Sequence, residues 1–159
     1  MKNRCFHITR SLLFLLLFSA AVRAQQHPVE IAVQQTQKAS KPVVLFLHTD
    51  WCNYCKAMQK TTFNNHEVKK LLTEDYYFAK LDAAEKQPIY FGSELYEYKP
   101  TGVGSGYHEL AAKLAEQEGE AGYPALLILT PDLKLIFRYN GFLKASELAE
   151  LLREVKIKS

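Results

Sequence analysis

The stretch "HTDWCNYCKAM", His48–Met58, sets two cysteines three positions apart, behind a tryptophan and ahead of a lysine. Metal clips, haem attachment sites, structural disulfides and electron-exchanging thiol pairs all use so short a spacing, each in different surroundings. Haem attachment needs a histidine directly after the second cysteine, and Lys56 stands there instead. A structural zinc site needs four ligands, usually a second cysteine pair or two well-spaced histidines. His48 and His66 are nearby, but no second clip follows. A disulfide closing a loop this small barely restricts the unfolded chain, so it is a poor staple. A redox pair needs a strand-to-helix junction with one accessible and one shielded sulfur.

The flanking residues supply that junction. Pro42 disfavours helix at the residue before it. Val43-Val44-Leu45-Phe46-Leu47 then runs apolar without alternation, as a strand covered on both faces does. Asn53 to Lys60 has helical composition, which puts Cys52 at the helix start and Cys55 one turn in. Free N–H groups and the helix dipole stabilise a thiolate at that tip and lower its pKa. Cys52 is therefore the expected nucleophile, forming a mixed disulfide that Cys55 then resolves. Lys56 is a possible modulator through its positive charge.

The ends of the chain add context. Lys2, Arg4 and Arg10 precede an apolar run from Leu12 to Val22, and Val22-Arg23-Ala24 offers small residues at the −3 and −1 positions. That is the layout of a secretory signal peptide, with cleavage expected after Ala24 and residues 25–159 forming one domain. The apolar stretch is shorter than the roughly 20 residues a spanning helix needs. With Lys2, Arg4, Arg10 and Arg23 removed, the formal charge of +3 falls by four to −1. No basic stripe interleaved with aromatics remains, so no nucleic-acid partner is expected. Cys5 leaves with the leader, and an exported chain carrying only Cys52 and Cys55 is expected in the periplasm.

Val29–Ala39 reads as a modest amphipathic helix ended by Ser40-Lys41-Pro42. Asn64-Asn65-His66-Glu67 resembles a capping box opening a short helix, Glu67–Leu72. Tyr76–Leu81 is a strand. Ala84–Gly106 is an additional segment, with a small hairpin around Gly92-Ser93 and a plain loop over Lys99–Gly106. Tyr107–Glu118 is a helix closed by Gly119. Ala125–Leu129 and Lys134–Tyr139 form an antiparallel hairpin, and Ala145–Lys156 is a last amphipathic helix. The order predicts an α/β sandwich with parallel and antiparallel pairs in one sheet.

Strand, Trp51-Cys52-Asn53-Tyr54-Cys55-Lys56, helix, and a later proline opening a strand together resemble the thioredoxin superfamily. Asp50 to Lys56, followed by Lys60-Thr61-Thr62-Phe63 and Val68, is similar to the C-terminal domain of the bacterial transmembrane thiol:disulfide interchange protein and to exported single-domain relatives. The resemblance implies a thioredoxin-like three-layer sandwich with a central mixed sheet, the additional segment inserted before the cis-proline strand. It places Tyr123-Pro124 at the family's cis-proline position and makes Tyr123, Pro124 and Trp51 substrate-contacting residues. It also implies a thiol-disulfide oxidoreductase, reductase or isomerase-like, acting as a monomer on protein thiols and disulfides with a redox donor or acceptor. No metal is expected, and no cofactor beyond the Cys52–Cys55 disulfide.

Two departures stand out. The buried aspartate that many thioredoxins carry six residues before the first cysteine is Phe46 here. Lys80, matching that aspartate's usual companion, is left without it, and His48 becomes a candidate for assisting Cys55. The 84–106 segment supplies a rival reading, a non-catalytic binding module on the same fold.

Overall fold

The computed structural model describes residues 26–36, 38 and 40–158. The expected signal peptide, 1–24, and the Ala39 end of the first helix lie outside these residues. The first half runs α1 (Pro28–Thr36), β1 (Val43–His48), α2 (Asn53–Lys60), α3 (His66–Asp75) and β2 (Tyr77–Asp82). Short elements follow: β3 (Ile89–Phe91), β4 (Glu94–Tyr96), β5 (Tyr98–Gly102), β6 (Ser105–His108), α4 (Glu109–Ala115), β7 (Glu116–Gln117) and β8 (Glu120–Ala121). The chain closes with β9 (Ala125–Leu129), β10 (Leu135–Asn140) and α5 (Ala145–Lys158).

Four strands form the central sheet in the order β10-β9-β1-β2, with β1 and β2 parallel and the other two pairings antiparallel. Side chains alternate across a strand, so the unbroken apolar run of β1 feeds two cores. Val43, Leu45 and Leu47 join α1 and α4 on one face. Val44 and Phe46 join α2, α3, α5 and both cysteines on the other. Each fully buried aliphatic or aromatic side chain contributes roughly 1.5–3 kcal/mol. The result is the α/β sandwich with a mixed sheet that the element order predicts.

The helix starts are set locally. His27 precedes Pro28, the first residue of α1; its Nδ1 accepts the Val29 N–H at 3.2 Å while its own N–H reaches Glu30 Oε2 at 3.3 Å. This is the reciprocal logic of a capping box with histidine as the cap. In α3 the cap is Asn65, which accepts from Glu67 and Val68 N–H, and Glu67 pairs with Arg153 of α5 instead of closing a box with Asn64. The helix continues to Asp75, three residues beyond the predicted Leu72, because the Lys156–Asp75 ion pair and the Tyr76 hydroxyl on the Leu152 carbonyl hold its last turn against α5.

The additional segment differs most from the sequence reading. The β3–β4 hairpin turns at Gly92, φ 66°, as expected. Lys99–Gly106, read as a plain loop, instead belongs to a second hairpin, β5–β6, turning at Gly104 with φ 71°. Backbone pairing holds it together, and a Cβ at Gly106 would overlap the Tyr98 ring and the Lys99 carbonyl. The helix predicted over Tyr107–Glu118 is confined to Glu109–Ala115. His108 caps its start, Nδ1 accepting the Leu110 N–H at 3.2 Å. Its end is cut short because Glu118 and Gly119 both take positive φ, 55° and 89°, and turn the chain back as the β7–β8 hairpin. Ile89, Phe91 and Tyr96 pack in the α1/α4 core, on the face opposite the cysteine helix. Among the described residues no helix is long and apolar enough to cross a membrane.

Candidate active site

Cys52 is the N-cap of α2, in extended conformation (φ −78°, ψ 109°), and its Sγ accepts the Cys55 N–H at 3.0 Å. Its carbonyl takes the Lys56 N–H at 3.1 Å, and its own N–H returns to the Thr49 carbonyl at 3.3 Å. The two sulfurs are joined as a disulfide across a Cα–Cα distance of 5.2 Å. Cys52 keeps 5% of its surface and Cys55 none, so the two differ little in depth. The rim is supplied by Trp51 and Tyr54, 76% and 68% exposed. Tyr54 lies 6.3 Å from the Phe142 ring, and Lys56 is exposed on the helix flank.

The loop before β9 comes up beside this tip. The Tyr123–Pro124 peptide bond is cis, and Tyr123 packs against both cores. The Pro124 carbonyl accepts the Gly141 N–H at 2.8 Å, which ties this loop to the Gly141-Phe142 turn. Gly141 has φ 155°, and a Cβ there would come within 2.9 Å of the Tyr139 ring, so the turn requires glycine. Thr62 completes the frame by donating to the Leu143 carbonyl at 2.6 Å. Burial, aided by Asp82, pushes the Tyr123 hydroxyl up to about 12.

Behind the disulfide the structure is apolar where a proton relay would be. Phe46 is fully buried, edge-on to Phe63 at 4.6 Å and stacked on His48 at 5.6 Å. Its strand partner Lys80 donates to Gln59 Oε1 at 3.2 Å and lies 6.0 Å from the Phe63 ring centre. His48 ends β1 in register with Asp82, which ends β2. His48 Nδ1 is buried and has no hydrogen-bond partner among the described residues. Burial holds the His48 pKa below its ordinary value, against the pull of Asp82 and Asp50; Lys80 lowers it further. Donor atoms of His48, Asp50 and Asp82 lie within 4.8 Å of one another. Exposed acidic groups often show such spacing, and Asp82 Oδ1 already takes the Ala84 N–H at 2.9 Å, so no metal is assigned to them.

The structure thus gathers Cys52, Cys55, Trp51, Tyr123, Pro124 and His48 at one end of the sheet, and turns Lys80 toward Gln59. Asp82, Gln59, Tyr54 and Phe142 were not singled out from sequence. Asp82 had a readable signal, since parallel pairing of two six-residue strands ending in His48 and Asp82 aligns their last residues. Clefts of 660 Å³ beside β10 and α5, and of 460 Å³ beside α3 and β2, are lined by neither cysteine.

Comparison with known proteins places this geometry. A thioredoxin from Thermus thermophilus superposes with a TM-score of 0.59 at 21% identity, covering 84% of this chain and 87% of that one. The reduced C-terminal domain of DsbD from Neisseria meningitidis gives 0.53 at 22% identity, over 77% and 89% of the two chains. Among curated proteins, an uncharacterized protein of Caenorhabditis elegans is 26% identical over 102 residues, 64% of this chain and 12% of its own length. The chain therefore spans only a small fraction of the curated relatives it matches. A family model for the thioredoxin-like domain matches residues 29–156, and the chain belongs to that family.

Proposed function

We propose that this protein is an exported, periplasmic thiol:disulfide oxidoreductase that exchanges electrons with protein dithiols and disulfides through Cys52 and Cys55. The observation carrying this reading is the disulfide at the N-cap of α2, where the Cys55 N–H already points at Cys52 Sγ. A helix N-terminus stabilises negative charge on that sulfur once the bond is reduced. Cys52 attacks a substrate disulfide, and Cys55 resolves the mixed disulfide. Trp51 and Tyr54 offer exposed aromatic surface to an extended substrate, with Tyr123 and Pro124 leading into β9 at the same end of the sheet. The fold neighbours that include the DsbD domain support the same class of chemistry.

Insulin-disulfide reduction tests it. Cys52→Ser is expected to abolish turnover, and Cys55→Ser to accumulate mixed disulfides visible on non-reducing gels. Equal activity of wild type and Cys52→Ser would sink the proposal. The rival, a binding module, draws on the Phe46 site and on the hairpins packed opposite the cysteine helix. That rival predicts partner capture that survives loss of both cysteines.

A further inference from the structure

Resolution by Cys55 needs a base, and the usual position for one is closed. Cys55 has no exposed surface and lies in the apolar core that also holds Phe46, Met58 and Phe63, and Lys80 is engaged with Gln59. A buried thiol in apolar surroundings resists ionisation. Two titratable groups, His48 and Asp82, end the two parallel strands at the end of the sheet from which the chain enters α2.

We propose, resting on the thiol-exchange reading above, that His48, steadied by Asp82, accepts the proton of Cys55 as that thiol resolves the mixed disulfide. Three observations converge on it. His48 Nδ1 is enclosed without a hydrogen-bond partner among the described residues, a costly arrangement unless the nitrogen has another task. The imidazole stacks on Phe46, and Phe46 and Cys55 belong to the same core, so His48 lies on the side of the sheet that holds the thiol. Asp82 stands in register beside His48 and is placed to stabilise an imidazolium when it forms.

The charged groups around His48 fit the role. Asp82 on β2 and Asp50 in the loop after β1 favour its protonated form, while Lys80 on β2 and burial oppose it. The net effect leaves the ring neutral, and so able to accept a proton, near pH 7. Tyr123, on the β9 side, stays protonated because its hydroxyl is pushed up to about 12, so it does not compete as an acceptor.

The step balances as follows. The Cys55 S–H gives its proton to His48 over a bridging water. The resulting thiolate attacks Cys52 Sγ, the Cys52–substrate S–S bond breaks, and the Cys52–Cys55 bond forms. The substrate sulfur leaves as a thiolate and takes a proton from solvent or from the imidazolium. The protein dithiol loses two electrons and the substrate disulfide gains them. In the opposite direction His48 returns the proton to Cys55 as it leaves.

Stopped-flow kinetics with a peptide disulfide separates the two steps. The first step is read in the Cys55→Ala background, with and without His48→Gln. The second is read as product release in chains with both cysteines, from pH 5 to 9. His48→Gln is expected to slow release at pH 7 by about a hundredfold or more, as loss of a general base does, and to remove the pH limb set by the imidazole. Its first step should stay within about twofold of its parent, which also shows that the variant is folded. Asp82→Asn is expected to move that limb to lower pH, since it removes a charge that raises the His48 pKa. Release by His48→Gln at the wild-type rate with an unchanged profile overturns the relay alone. A wild type that forms no mixed disulfide overturns the exchange reading and the relay with it.

Discussion

Lys80 is the residue whose environment departs most from what its position implies. It sits across from a phenylalanine, and its ammonium is satisfied by the Gln59 side-chain carbonyl. A hydrogen bond from a charged donor is worth about 1.5–3 kcal/mol, whereas breaking a buried ion pair costs about 3–5 kcal/mol. Lys80→Met is therefore expected to change stability by no more than about 1.5–3 kcal/mol in urea unfolding. A loss of several kcal/mol would reveal a charge partner for Lys80. At this scale the sequence was most readable where chemistry is contiguous: Trp51, Cys52, Cys55 and Phe46 lie within one short run, and Tyr123-Pro124 is a local pair. Asp82 and Phe142 reach the site from β2 and from the turn after β10, and Gln59 lies near the far end of the cysteine helix itself. Their roles depend on strand register and on the Gly141 turn, which no local pattern encodes.

The elements show the same division. β1, α2 and β9 were legible because apolar runs and helix-forming composition agree with the burial the tertiary fold imposes, and β10, largely exposed, through its short connection to β9. β5 and β6 were hidden because Pro100, Gly102, Gly104 and Gly106 carry the signature of a loop. Their pairing comes from the backbone, with Lys99 opposite Tyr107 and Pro100 opposite Gly106. β7 was read as the end of a helix because Glu116, Gln117 and Glu118 are helix formers by composition, yet Glu118 adopts φ 55°. A glutamate in the left-handed region is strained by roughly 1–2 kcal/mol, and asparagine tolerates that region better. Glu118→Asn creates the Asn-Gly pair favoured in two-residue hairpin turns. It is expected to raise stability by about 0.5–1 kcal/mol, measured as a higher urea midpoint with an unchanged slope.

Across the whole molecule, acid should weaken the fold. His27, His48 and His108 all have pKa values held below the ordinary 6.5, with burial the largest cause in each. The unfolded chain therefore binds protons at these sites before the folded one does, so stability falls as pH drops below about 6.5. Two of these rings also cap helices through Nδ1, and a proton on that nitrogen would remove the cap. Glu85, Glu94, Glu109 and Asp132 are lowered as well, Glu85 chiefly by the Gln87 N–H and Glu94 chiefly by the Tyr96 hydroxyl. Their contribution is present above the ordinary carboxylate range and is lost on further acidification. Thermal scans should show the midpoint falling between pH 7 and pH 5; a flat or rising midpoint would contradict this. The division of the sheet into two separate cores also has a practical side. Because the β5–β6 hairpin runs straight into α4, whose Leu110 and Ala111 lie in the core opposite the cysteines, the exposed Val103 at its turn is a suitable point for attaching a fluorophore or an electrode linker, leaving the sulfur chemistry on the other face free to be followed by voltammetry.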